Sequence, residues 1–191
     1  MLKGALHTHS TCSDGELPWQ EVLAEHRRQN FDFIALTDHD FLKKPNAYDA
    51  VPDAYEGMLV FKGVEKTVFA KGYVHVNVIP GQGDVLHIFN HPAEYEMTFA
   101  QTVERMAIVA RQLPLHACEV SSKGFYTREY DTGEIALPKV VSDDSHTRDA
   151  IGRAWVEVDA PRQHDAILRA IKQGDARLVY TNEAQPAAGW H

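Results

Sequence analysis

The chain has 191 residues, 44% hydrophobic and 24% charged, proportions ordinary for a globular domain. Its formal net charge of −8 argues against a protein that coats nucleic-acid phosphates and is compatible with bound divalent cations. No apolar run reaches the roughly 18 residues of a membrane span, the start lacks the apolar stretch of a secretory signal, and Cys12 and Cys118 are too few for a disulfide framework, so one cytoplasmic domain over 1–191 is expected.

Residues 2–7 (LKGALH) read as a first strand. Residues 17–30 read as a helix, with Pro18 suited to its first turn and Trp19, Val22 and Leu23 spaced to share a face. A buried strand over 31–40 ends in the polar run TDHD. The turn-rich stretch 42–57 is punctuated by Pro45, Asn46, Pro52 and Gly57. Strands follow at 58–65, 73–80 and 84–92, and Thr98 with Gln101 forms a capping box for a helix through about Gln112. A strand at 113–121 leads into an irregular segment, 125–139, with a candidate hairpin turn at Asp131-Thr132-Gly133. Further strands lie at 140–146, 153–158 and 177–182, with a helix from about Pro161 to Gln173 before the last.

Strand–helix alternation argues for an α/β fold with a mainly parallel sheet. Some strand pairs lack an intervening helix, and the chain is shorter than the usual eightfold barrel enzyme, which points to a small, incomplete or distorted barrel.

Eleven histidines are many for this length, and several fall at strand ends. His7 and His9, one residue apart in an extended segment, project to the same face. His39, Glu65, His91, Glu119, Asp144 and His146 also lie at the carboxyl ends of expected strands, where parallel α/β folds bind ligands. Nitrogen and oxygen donors with almost no cysteine suit a hydrolytic metal centre better than a structural zinc site or an iron–sulfur cluster.

The runs HTHSTCSDG, TDHD, the glutamate of GVE, NHP and SDDSH occur in the order used by the PHP domain family, named for polymerases and histidinol phosphatases, and the chain resembles that family from residue 7 to at least 146. The following IGRAWVEV is similar to the family's closing segment. The resemblance implies a distorted, compact (β/α)7-type barrel with two or three divalent metals at the carboxyl ends of its strands. It implies a first ion on His7, His9, Glu65 and Asp144, with Glu65 bridging to a second held by His91 and His75. Asp14, His39 and His146 are the implied ligands of a third, at a position where family members carry either aspartate or histidine for Asp14. Glu119 matches a family glutamate and is a ligand or a support for one. Zn²⁺, Mn²⁺ and Fe²⁺ all suit these donors.

Such a centre supplies a metal-activated hydroxide for attack on phosphorus. Asp14, His39 or His146 are candidates for proton transfer to the leaving alkoxide, and Arg128 and Arg148, with Lys66 as a weaker third, are candidate cations for the substrate phosphate. The expected function is a metal-dependent phosphoesterase acting on a phosphate monoester of a small metabolite or nucleotide. The alternatives are a phosphodiesterase or exonuclease on short oligonucleotides, and a non-catalytic metal-binding regulatory module. Residues 42–57 and 125–139 are the expected pocket walls. Asp38 and Asp40 either support His39 or are solvated loop acids, and Asp143 and Cys12 read as polar neighbours of the motifs. His26 and His164 are expected at the surface, His87 and His116 as satisfied core or rim residues, and His191 carries no information.

Overall fold

The computed structural model describes residues 1–181, so Asn182, the end of the last expected strand, and His191 lie outside the described residues. The elements in order are β1 (Leu2–Ala5), α1 (Trp19–Arg28), β2 (Phe33–Leu36), β3 (Ala54–Tyr55), β4 (Met58–Lys62), β5 (Val64–Phe69), β6 (Tyr73–Pro80) and β7 (Val85–Phe89). They continue with α2 (Phe99–Val109), β8 (Ala117–Glu119), β9 (Ser121–Ser122), β10 (Phe125–Tyr126), β11 (Lys139–Val140), β12 (Ala154–Val158), α3 (His164–Gln173) and β13 (Ala176–Tyr180).

The strands form a six-stranded sheet in the order β13-β12-β1-β2-β4-β3, a five-stranded sheet in the order β11-β8-β7-β6-β5, and the separate hairpin β9–β10. The α/β expectation holds, but the sheet is mixed rather than mainly parallel. Parallel ladders occupy the centre of the first sheet (β1–β2–β4) and one side of the second (β7–β8–β11). The β5–β6–β7 meander and the β1–β12–β13 arm are antiparallel. The reason lies in the connections: the links from Phe69 to Tyr73 and from Pro80 to Val85 are far shorter than the dozen or so residues a parallel crossover needs.

No continuous ladder closes the two sheets into a barrel among the described residues. They meet instead through two isolated parallel bridges, Thr8 with Ser145 and His39 with Glu65. The expected strand at 58–65 is divided at Gly63, where the chain passes from the first sheet to the second. At Gly4 the Phe33 ring of the neighbouring strand lies where a Cβ would stand, 1.9 Å from its nearest atom, so only glycine admits this packing.

The larger hydrophobic core contains Phe33, Phe61, Phe89, Val156, Ile167 and Leu168. A second cluster holds Val22 and Leu23 of α1 against Phe31 and Ile34. Each such buried side chain contributes about 1.5–3 kcal/mol relative to exposure. The capping box of α2 forms as expected, with the Gln101 N–H donating to Thr98 Oγ1 at 3.3 Å and the Thr98 N–H to Gln101 Oε1 at 2.9 Å.

Two histidines depart from expectation. His26 is fully buried and donates from Nδ1 to the Val22 carbonyl at 2.8 Å, because its position follows Val22 by four residues and Leu23 by three on the inward face of α1. His164 is half-buried, with Nε2 3.2 Å from the Val60 carbonyl and its ring edge-on to Phe61. His87 and His116 stack at 5.2 Å; the His87 backbone N–H donates to His116 Nδ1, which satisfies that ring nitrogen, whereas His87 Nδ1 is buried without a hydrogen-bond partner among the described residues.

Candidate metal centre

The two single bridges locate the site. One sets Thr8, between His7 and His9, beside Ser145, between Asp144 and His146; the other sets His39 beside Glu65. Four candidate-bearing segments therefore converge where the two sheets meet.

Glu65 is at the centre and is 1% exposed. Its Oε1 lies 3.0 Å from His91 Nε2, 3.1 Å from His75 Nδ1 and 3.3 Å from His7 Nε2. Its Oε2 lies 3.1 Å from His39 Nδ1 and 3.2 Å from His9 Nε2. Asp144 Oδ1 is 3.2 Å from both His7 Nε2 and His9 Nε2. On the open side, Asp14 stands 3.4 Å from His9 Nδ1, 3.5 Å from His39 Nε2 and 3.4 Å from His146 Nε2.

The donor atoms fall into overlapping groups: His7, Glu65 and His91; His7, His9 and Asp144; His39, Glu65 and His75; and His9, Asp14, His39 and His146. A further group joins His91 and Asp144 with Glu94. Glu65 Oε1 thus lies between His75 and His91, and His75 also groups with His39. These residues fit divalent cations. Asp144 Oδ1, His39 Nδ1 and His75 Nδ1 are buried without a hydrogen-bond partner, and ligand atoms about 2.0–2.2 Å from a shared ion stand about 3.3 Å apart in a tetrahedron.

Charge and burial oppose each other here. Burial alone would lower the His7 and His9 pKa values, but surrounding carboxylates override it. Asp144 and Glu65 hold His7 well above its ordinary value, and Asp14, Asp144 and Glu65 raise His9 to about 10. Burial would likewise raise the carboxyls of Glu65 and Asp144, yet His7 and its neighbours hold both far below the usual range. For His39 burial prevails and its pKa falls.

A second layer fixes the donors. Asn90 donates from Nδ2 to Glu65 Oε1 at 2.8 Å and to Asn77 Oδ1 at 2.9 Å, and Asn77 donates to the Leu6 carbonyl at 3.1 Å. Glu119 is buried and accepts the His91 N–H at 2.9 Å, so it acts here as an orienting group. Asp38 is buried rather than solvated, and accepts from Ser10 N–H and Oγ, both at 2.8 Å, from Ser13 Oγ at 2.6 Å and from Tyr48 Oη. It thereby shapes the loop that carries Asp14, whereas Asp40 is exposed. His91 and Asp144 adopt positive φ, 25° and 45°, a cost that non-glycine residues bear where the surroundings impose it.

The site opens into a cavity of about 410 Å³. Neither expected wall lines it. The hairpin turn falls at Lys123-Gly124, not at 131–133, and the walls are Glu94, Lys123, Thr147, Ala150 and Arg153 together with Asp143 and six of the donor residues, His7, His9 and Asp14 not among them. Asp143 is buried, accepts the Gly152 N–H at 2.6 Å, and is pushed up to about 7 by burial. Of the expected cations, Arg148 is engaged with Glu21 at 2.6 Å and Glu25 at 3.2 Å on α1, away from the cavity wall. Arg128 lies in a short 3₁₀ turn and Lys66 is exposed on β5, neither lining the cavity. Cys12 Sγ lies 3.9 Å from the Ala47 carbonyl and belongs to none of the donor groups. Sequence reading missed Glu94, Lys123 and Arg153; a Lys-Gly pair between two short β-prone runs was the available signal for the turn.

Residues 133–176 match the family described as PHP-associated. A two-domain protein from Bacteroides vulgatus, described as containing a predicted PHP-like metal-dependent phosphoesterase, superposes with a TM-score of 0.71 over 94% of this chain and 64% of its own, at 22% identity. The fold matches that of this PHP-like protein. The PHP resemblance read from the sequence is thus borne out. The chain is also similar to an amidohydrolase from Chromobacterium violaceum solved with bound sulfate and no metal (TM-score 0.65, 16% identity, 95% of this chain and 99% of that one). PsfC from Pseudomonas syringae superposes with a TM-score of 0.62 at 13% identity over 96% of this chain and 94% of its own. In sequence, the DNA polymerase/3'-5' exonuclease PolX of Bacillus subtilis is 31% identical over 84 residues, 37% of this chain and 15% of the polymerase. The chain therefore spans a small part of that polymerase. Among the described residues no helix is long and apolar enough to cross a membrane.

Proposed function

We propose that this chain is a metal-dependent phosphoesterase that hydrolyses a phosphate monoester of a small metabolite or nucleotide. The observation that carries the reading is Glu65, buried within 3.0–3.3 Å of five imidazoles at the floor of an open cavity. Two bridged sheets with their donors at the junction support a distorted, compact (β/α)7-type barrel.

In this reading His7, His9, Glu65 and Asp144 hold one ion, and Glu65 with His91 contributes to a second. Asp14, His39 and His146 would hold a third, with His75 beside Glu65 and His39. Zn²⁺, Mn²⁺ and Fe²⁺ are compatible with these donors. The chemistry that such ions supply is activation of water and stabilisation of charge on phosphoryl oxygens. The protein supplies the rest. Asn90 and Glu119 hold Glu65 and His91 in place, so the donors need not reorganise during reaction. Where the third ion is absent, His146, with its side chain 32% exposed against 11% for His39, would be free to pass a proton to a departing alkoxide on the solvent side, and Asp14, whose carboxyl the neighbouring histidines hold far below the usual range, would accept from it and orient it.

A second reading, a phosphodiesterase or exonuclease on short oligonucleotides, draws on the 84-residue similarity to a polymerase/exonuclease. The net charge of −8 favours a small substrate over a long strand. A regulatory module without turnover fits less well with so complete a donor set. Metal-loaded protein assayed against phosphomonoesters and a short labelled oligonucleotide separates the three: inorganic phosphate from monoesters supports the first, shortened oligomers the second, and no turnover the third.

A further inference from the structure

We propose that Lys123 and Arg153 form an anion-binding subsite that positions the phosphoryl group of the substrate. The proposal rests on the phosphoesterase reading for the identity of the anion, but its residues and geometry stand apart from the metal donors. Both side chains line the 410 Å³ cavity, whose other charged walls are the carboxylates Glu65, Glu94, Asp143 and Asp144. An anion entering such a cavity needs cationic partners on the protein in addition to any bound ions.

Four of the chain's ten arginines are committed elsewhere. Arg28, Arg148, Arg162 and Arg177 are each in an ion pair with a carboxylate. Among the described residues no carboxylate lies within ion-pair distance of Lys123 or Arg153. Two cations outside any ion pair among the described residues, on the wall of a cavity whose floor carries the metal donors, are available for a bound anion.

The backbone builds this pair deliberately close. Ser122 pairs with Phe125, leaving Lys123-Gly124 as a two-residue hairpin turn with φ of 49° and 84° at the two positions, the left-handed pair that such a turn requires. A Cβ on Gly124 would stand 2.5 Å from Arg153 Cβ and 3.4 Å from its Cδ, so the Arg153 stem runs against the turn. Arg153 is fixed from its other side as well. The preceding Gly152 N–H donates to Asp143, and the Arg153 carbonyl accepts the Thr181 N–H at 2.9 Å. Ser122 Oγ donates to Glu94 at 2.7 Å, tying the hairpin to the 3₁₀ turn Pro92–Tyr95. Lys123 and Arg153 are therefore held beside one another at the mouth of the site by a glycine that no other residue replaces without strain.

The test is calorimetric titration of inorganic phosphate into the metal-loaded protein, for the wild type, K123Q, R153Q, the double variant and G124A. Each glutamine variant is expected to lose about tenfold in phosphate affinity, the scale of one charge-assisted hydrogen bond, and the double variant about a hundredfold. R153K is expected to recover part of the loss. G124A, which leaves both charges in place, is expected to weaken phosphate by displacing Arg153. Metal content by elemental analysis and the far-ultraviolet circular dichroism spectrum are expected to match the wild type throughout. Wild-type phosphate affinity in a folded, metal-loaded double variant overturns the proposal. Because the readout is binding, the two readings fail separately: phosphate held through these side chains without turnover of any phosphoester upholds the subsite and refutes the phosphoesterase.

Discussion

The His91 N–H donates to Glu119 Oε2 at 2.9 Å, and His7 Nδ1 stands 3.5 Å from the same oxygen. One carboxylate oxygen thus faces candidate donors that follow two separate strands, β1 and β7, while Oε1 accepts from the Ser121 and Ser142 hydroxyls. It also holds His91 in its unfavourable backbone conformation, φ 25°. Glu119→Gln replaces one acceptor oxygen by a donor and cannot serve both sides. Its metal affinity, measured by competition with a chelator, is expected to fall about 10–100-fold. Wild-type affinity in E119Q would remove Glu119 from the orienting layer.

Glu65 faces five imidazoles, and no neighbouring carboxylate can take over both of its oxygens. Glu65→Gln is expected to reduce the number of ions bound per chain and to lower turnover by more than about a hundredfold, beyond what an orienting residue costs. Elemental analysis alongside phosphate release measures both. Full occupancy with unchanged rate would show that the Glu65 cluster is only structural.

Metal uptake should depend on pH with a definite sign. In the metal-free protein, carboxylates hold His7 well above its ordinary pKa and His9 at about 10, so protons on this pair compete with a metal cation. A cation must displace those protons. Apparent affinity is expected to rise about tenfold per pH unit for each proton released, across the range below pH 10. A chelator-competition series at several pH values measures the slope, and a flat profile would place the ions elsewhere.

Much of the centre was legible because local rules suffice. His7 and His9 share a face by strand periodicity alone, and His39, Glu65, His91 and Asp144 each follow a short apolar run. What sequence could not convey was long-range pairing. Arg148 is two residues from His146, yet the carboxylates of Glu21 and Glu25, more than a hundred positions earlier, engage it. Lys123 and Arg153 meet only because a hairpin turns at Gly124 against the start of β12. The meander β5–β6–β7, with its short links, was likewise consistent with the sequence but did not by itself announce two mixed sheets. His26 was a misreading of available information, since its spacing from Val22 and Leu23 already placed it on the buried face.

That buried histidine carries its own prediction. Burial lowers the His26 pKa to about 4 from an ordinary 6.5, with the Val22 carbonyl opposing the shift only in part. The unfolded chain therefore binds a proton that the folded chain refuses between these values. Its contribution to stability is complete above about pH 6.5 and is lost as pH falls toward 4, up to about 3 kcal/mol in all. His26→Leu is expected to flatten this limb of the stability profile in denaturant titrations from pH 7 to 4. An unchanged difference between pH 7 and 4 would contradict a neutral buried imidazole.

The measurement that tests the central claim most directly is metal content by elemental analysis of tag-free protein purified without chelator, followed by assay of the same sample against a phosphomonoester panel. More than one divalent ion per chain together with release of inorganic phosphate is the predicted result. Absence of bound metal even after reconstitution, or full loading without phosphate release from any ester, would contradict it.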